Sequence, residues 1–149
     1  MKFLCDRMLG TLAKWLRVYG FDTFYPKEGL KESDILDKCK KEDRILITRD
    51  QELIYNAKRE LVKSIFIKSK DLDEQLCIVI DKKNPKNKQF LTRCLICNNI
   101  LIDIAKKDIK RIVPKKIYGA YNDFLFCNNC KKVYWPGSHY KKMKGKKWN

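Results

Sequence analysis

Arg44-Ile45-Leu46-Ile47-Thr48-Arg49-Asp50 is the stretch that decides the fold. Ile45–Thr48 is a short run of apolar and β-branched residues that stops at a charged pair, so it reads as a strand buried on both faces. Strands of that kind belong to parallel sheets. Working outward, Lys2–Cys5 is a second such strand and ends at Asp6. Met8, Leu9, Leu12, Leu16 and Tyr19 then share one helical face, and Gly20 supplies a stop. Phe21–Tyr25 is a further strand, closed by Pro26. Ser33 N-caps a helix running to about Lys41, with Ile35, Leu36 and Cys39 inward. Gln51–Arg59 reads as helix, Ser64–Ile67 as strand and Leu72–Ile80 as helix. Strands alternating with helices predict an α/β unit: a parallel sheet flanked by helices.

In such sheets ligands collect beyond the carboxyl ends of the strands. Asp6 follows the first strand and Asp50 the third, and Asp34 lies in the first turn of the second helix. Three carboxylates converging in one cleft repel each other unless a cation neutralises them, and Mg²⁺ or Mn²⁺ suits all-oxygen ligation. An Asp after a strand is also a common helix cap, and each of the three has that ordinary reading beside it. Arg49 sits between Thr48 and Asp50, close to this edge. Arg7, Lys14 and Arg17 lie opposite the apolar stripe of the first helix, where they are candidates for phosphate contact.

The 149 residues carry a formal net charge of +16, unevenly spread. Residues 1–80 hold 16 Lys+Arg against 14 Asp+Glu, and residues 81–149 hold 18 against 4. The polar, Pro-containing stretch 81–90 therefore reads as a linker between a first unit, 1–80, and a second, 91–149. An excess of this size favours an anionic partner, nucleic acid first. No apolar run approaches the roughly 18–20 residues of a membrane helix. Asp6, Arg7 and Lys14 interrupt any signal-peptide core, so the expectation is a soluble, cytoplasmic protein without a membrane partner.

Cys94-x-x-Cys97 and Cys127-x-x-Cys130 are two matched pairs 29 residues apart. Each presents two sulfurs from one tight turn, and four thiolates are what tetrahedral Zn²⁺ takes. With short strands at Ile100–Ala105, Phe124–Phe126 and Val133–Trp135, the pattern predicts a small β-rich zinc ribbon. Thiol redox chemistry is the rival for these cysteines. Cys5, Cys39 and Cys77 read as small buried hydrophobes. Lys115, Lys116, Lys131 and Lys132 on the ribbon, and Lys141 and Lys142 in the basic tail, alternate with aromatic residues in a way that suits RNA. His139, the single histidine, is a candidate RNA contact; Tyr134 and Trp135 read as ribbon core.

The stretch Asp6–Asp22, the strand Arg44–Asp50, the knuckle Arg93–Asn98 and the segment Phe126–Tyr140 together resemble, in order, the Mut-seven C-terminal RNase family, a branch of the PIN-like nucleases. The resemblance implies a PIN-like α/β domain followed by a zinc ribbon, and a metal-dependent ribonuclease. Carried over by position, its acidic site is Asp6, Asp34 and Asp50 with Thr48 and Arg49 beside it, and Cys94, Cys97, Cys127 and Cys130 hold zinc. Thr11 and Lys14 stand where the family usually shows arginine, and only Asp71 and Asp73 offer themselves for a fourth acid. The leading expectation is an endoribonuclease using Mg²⁺ or Mn²⁺, with RNA gripped by the ribbon, in a ribosome- or tRNA-associated setting or elsewhere. Two rivals stand beside it: a non-catalytic RNA- or ribosome-binding protein that keeps the fold, and a toxin-like nuclease.

Overall fold

The computed structural model describes residues 1–80 and 90–145, the side chains of His139, Met143 and Lys144 excepted. Most of the stretch expected to be a linker, residues 81–89, and the end of the tail lie outside the described residues. Four short strands, β1 (Lys2–Cys5), β2 (Asp22–Phe24), β3 (Ile45–Thr48) and β4 (Ser64–Phe66), form a parallel sheet in the order β2-β1-β3-β4. Four helices alternate with them: α1 (Gly10–Val18), α2 (Glu32–Glu42), α3 (Gln51–Arg59) and α4 (Leu72–Val79).

Side chains alternate across a strand, and both faces of this sheet are covered. Phe3, Cys5 and Ile47 pack with Leu9, Leu12, Ala13, Leu16, Leu76 and Val79 on the α1/α4 side. Leu4 and Leu46 pack with Ile35, Leu36, Cys39, Leu53 and Ala57 on the α2/α3 side. Cys5 and Cys39 are buried as small apolar groups, and burial pushes their thiols up to about 12 and about 11.

Two local readings of the sequence are corrected. Met8 is exposed, because Arg7–Leu9 is a 3-10 turn capped by Asp6 and the α-helical phase begins only at Gly10. The second helix starts at Glu32, so Ser33 lies inside it and is not its cap.

The second unit contains strands β5 (Ile102–Asp103), β6 (Leu125–Phe126) and β7 (Val133–Tyr134) in an antiparallel sheet of that order. Two helices that the periodicity does not announce complete the chain, α5 (Lys115–Ala120) and α6 (Ser138–Gly145). The apolar support of α5 is small: Ile109, Val113 and Phe124 with Ile117, Tyr118, Tyr121 and Trp135 around them. No helix among the described residues is long and apolar enough to cross a membrane.

The first cysteine knuckle meets the parallel sheet along β2 and the end of α1. Arg17 is 5 % exposed, and its guanidinium donates to the carbonyls of Leu95 and Ile96 at 2.7 and 3.0 Å and to Thr23 O at 3.0 Å. Asn98 accepts from the Thr23 N–H at 2.9 Å and donates to Asp22 at 2.8 Å. Phe90, counted in the linker, packs edge-on against Tyr19 on one side and Tyr140 of α6 on the other.

Candidate active site and metal centre

The strand order reverses direction between β1 and β3, since β2 lies outside β1 and β4 outside β3. This is the topological switch point at which open α/β sheets bind their ligands. Pairing of Cys5 with Ile47 brings the residues that follow, Asp6 and Thr48, side by side at the carboxyl edge. The Asp6 N–H closes onto Ile47 O at 2.9 Å. Thr48, fully buried, donates its hydroxyl to Asp6 Oδ2 at 2.9 Å and accepts the Asp50 N–H at 2.9 Å. One hydroxyl thus fixes one acid by its side chain and the other by its backbone.

Each acid also has a local task. Asp6 Oδ1 accepts the Arg7 N–H. Asp50 caps α3 through Oδ1, which accepts from Glu52 and Leu53, and Oδ2 has no hydrogen-bond partner among the described residues. Asp34, exposed in the first turn of α2, accepts the Lys31 N–H at 3.1 Å through Oδ2. Its loop is tied to the site from the other side: Arg7 Nη2 donates to Leu30 O at 2.6 Å and the Tyr25 hydroxyl to Arg7 O at 2.7 Å. Asp6, Thr48 and Asp50 are therefore joined by hydrogen bonds, whereas Asp34 is reached through the Arg7–Leu30 tie. Asp71 caps α4 by accepting from Glu74, and Asp73 follows in its first turn. Arg49 has its Nε buried without a hydrogen-bond partner among the described residues. A buried guanidinium N–H without an acceptor is costly, and an anionic oxygen would satisfy it.

The sulfurs of Cys94, Cys97, Cys127 and Cys130 all lie within 4.8 Å of one another. Both knuckles use the same turn: Asn98 and Lys131, four residues after the first cysteine of each pair, take φ of 69° and 56° and donate N–H to the carbonyls of Cys94 and Cys127. Tyr134 takes the Leu95 N–H on its hydroxyl oxygen, which leaves its own proton for Cys94 Sγ at 3.2 Å. Burial alone raises the Cys97 thiol, but the Asn99 N–H, the Asn129 side chain and neighbouring thiols bring it down to about 6. Hydrogen bonding to Cys97, then burial, pushes Cys130 up to about 12. A thiolate shared among four crowded sulfurs is the arrangement a metal relieves. Four sulfurs at about 2.3 Å from one tetrahedral ion lie just under 4 Å apart, so the donor set fits a structural metal such as zinc. Among the described residues it is the one group of three or more metal-ligating side chains within reach of a shared ion.

The predicted phosphate contacts separate in two. Arg7, Lys14, Lys115, Lys116, Lys131, Lys132, Lys141 and Lys142 are exposed. Arg17 is not available: it is buried under the first knuckle, and its Nε and Nη1 donate to backbone carbonyls. Helical periodicity placed it away from the apolar stripe, but the ribbon docks on that side. The His139 side chain lies outside the described ones.

Sequence reasoning passed over the polar network behind this joint. Asp22 Oδ1 receives Arg44 Nη1 at 2.7 Å and the Asn98 amide at 2.8 Å, and Arg93 Nη2 stands 3.8 Å from Oδ2. The available signal was positional, since Arg93 and Asn98 directly flank the Cys94-x-x-Cys97 knuckle. The sequence profile of the Mut7-C RNAse domain matches residues 1–146. No curated protein matches the chain.

Proposed function

The chain belongs to the Mut7-C RNAse domain family, and from that premise we propose that it is a divalent-metal-dependent endoribonuclease. The observation that carries the reading is the Asp6–Thr48–Asp50 hydrogen-bonded set at the switch point of the sheet. Its donor set suits a hard cation: carboxylate oxygens, partly exposed, with no hydrogen-bond partner on Asp50 Oδ2 among the described residues. Asp6 and Asp50, with Asp34 across the Arg7–Leu30 tie, would hold Mg²⁺ or Mn²⁺. Such an ion supplies a water of lowered pKa and charge stabilisation on a phosphodiester in transit.

The chain's own groups do the rest. Thr48 orients Asp6 and the Asp50 backbone, so the two carboxylates keep a fixed separation as substrate arrives. The Arg49 Nε–H donates to a phosphate oxygen, its missing acceptor, and Arg7 adds charge beside Asp6. In this reading residues 1–80 cut, while residues 91–149, joined through 81–90, capture RNA by their lysines. Capture of this kind weakens steeply with salt. A ribosome- or tRNA-bound substrate fits the same surface.

With Mn²⁺ the full chain should cleave single-stranded or structured RNA, and Asp6→Asn and Asp50→Asn should each lose at least about 100-fold in rate, roughly 2.7 kcal/mol of transition-state stabilisation. Equal cleavage by wild type and both variants would mean a contaminating nuclease and end the proposal. A second reading, a non-catalytic RNA binder, draws on one observation: all three acids serve as local caps and do not form a metal-sized cluster. It predicts salt-sensitive RNA binding that is indifferent to Mn²⁺ and to Asp6→Asn, and no cleavage.

A further inference from the structure

A cavity of about 340 Å³ opens at the amino ends of β1 and β2, the edge of the sheet opposite Asp6 and Asp50. Met1, Lys2, Tyr19, Gly20, Phe21, Asp22 and Arg93 line it. It therefore lies where the α/β sheet and the ribbon meet, a common place for small-ligand sites, and its size is at the lower end of their range of about 300–1,000 Å³. That admits one nucleotide unit and excludes a duplex.

The chemistry of the walls is specific. Lys2 is exposed at the rim, and the structure records no partner for its ammonium among the described residues. Arg93 spends Nε on Gly20 O and one Nη1 hydrogen on Asn98 O, and its Nη2 stands 3.8 Å from Asp22 Oδ2, an ion pair beyond hydrogen-bond distance that leaves the Nη2 N–H groups able to donate. The one carboxylate present, Asp22, is neutralised by Arg44 from behind and by Arg93 from the cavity side and is held by Asn98, so the exposed Lys2 ammonium keeps the sign of the site positive. Tyr19 and Phe21 contribute aromatic surface. Next to them, the Tyr19–Phe90–Tyr140 ladder brings up α6, where the exposed Lys141 and Lys142 follow directly. Cations at the rim, aromatic rings inside and a basic helix alongside match a phosphate joined to a planar base.

We propose that this cavity is a nucleotide-binding site, separate from the acidic edge, that takes a single phosphate-bearing nucleotide through Lys2 and Arg93. Two sources share that chemistry, the terminal nucleotide of an RNA and a free mononucleotide. The first deepens the ribonuclease reading and rests on it; the cavity itself does not.

The test is a titration of the full, zinc-loaded chain, without Mg²⁺ or Mn²⁺, with 5′-AMP, adenosine and short oligoadenylates with and without a terminal phosphate. Binding is read from the amide resonances of Gly20, Phe21 and Asp22. These should shift with the phosphorylated ligands, and adenosine should bind at least about tenfold more weakly than 5′-AMP. Lys2→Glu, at an exposed position that leaves the fold intact, should weaken phosphate-bearing ligands by about tenfold, and Lys2→Ala by less. A phosphorylated oligonucleotide binding more tightly than 5′-AMP identifies an RNA end as the occupant; equal or weaker binding identifies the free nucleotide. The proposal is overturned if no phosphorylated ligand shifts these amides, or if Lys2→Glu changes affinity by less than about twofold. Shifts confined to Asp6 and Asp50 also overturn it while leaving the ribonuclease reading in place, because no cleavage is scored.

Discussion

The α/β sheet buries Phe3, Leu12, Leu16 and Ile47 on one face and Leu4, Leu36, Leu46 and Leu53 on the other. The innermost layer of the ribbon is Cys94, Leu101 and Cys127. A two-sided apolar core holds itself by burial, whereas a unit with so little of it needs a cross-link or a metal. The comparison teaches that the same chain uses two kinds of cohesion, and that the joint between them is polar: Arg17, Asp22, Arg44, Arg93 and Asn98 stand where neither core reaches. The first knuckle, whose cysteines fit a structural metal, presents its carbonyls to Arg17 and so touches the sheet directly.

The sharpest way to break this contrast is to remove the metal. Chelation, or Cys127→Ser, should unfold the ribbon at a cost on the order of 10 kcal/mol while β1, β3 and β4 keep slow amide exchange. Hydrogen exchange that accelerates equally in both units would refute a separate basis for their stability. Arg17→Met should cost about 3 kcal/mol in denaturant midpoint, because the carbonyls of Thr23, Leu95 and Ile96 lose their donor in a buried place. An effect below about 1 kcal/mol would mean that water replaces the guanidinium and the joint is loose.

Thr48→Val keeps the volume and removes one hydroxyl, so about 1–2 kcal/mol should be lost, with a fall in cleavage rate larger than the stability change explains. Unchanged cleavage would show that Thr48 does not set the separation of Asp6 and Asp50. The smallest effect should come from acid. Burial raises the Asp22 carboxyl, but hydrogen bonds from Arg44 and Asn98 outweigh it and hold the group below its ordinary 3.8. A lowered carboxylate contributes stability that is complete above its unfolded value and is lost as pH falls through the folded one. The stability gap between wild type and Asp22→Asn should therefore close as pH drops below 3.8. Both proteins carry the same sulfurs, so the acid sensitivity of metal binding cancels in that difference. A gap that persists would put the weight of the joint on Asn98 instead.

What the sequence makes legible is whatever rests on local pattern. Ile45–Thr48 reads as a buried strand because its burial is two-sided, and Asp6 and Asp50 read as edge residues because they lie one and two residues past the end of such a strand. The cysteine spacing encodes the metal cluster almost directly. What it hides is set by distant packing. Arg17 looks solvent-facing within its own helix and is covered by a loop some 78 residues away in the chain. Met8 follows the helical period, yet a 3-10 turn changes the phase at that point. The backbone tie from Arg7 to Leu30, which links the Asp34 loop to the acidic edge, is contained in no spacing rule.

The hydrogen bond from the Thr23 N–H to Asn98 has one more consequence. β2 is an outer strand of the parallel sheet, and an open strand margin is a template on which other chains add themselves. Asn98 occupies that margin only while its knuckle turn is formed. Removal of a metal from the four cysteines should therefore uncover a sticky seam, read in solution as increased self-association along β2.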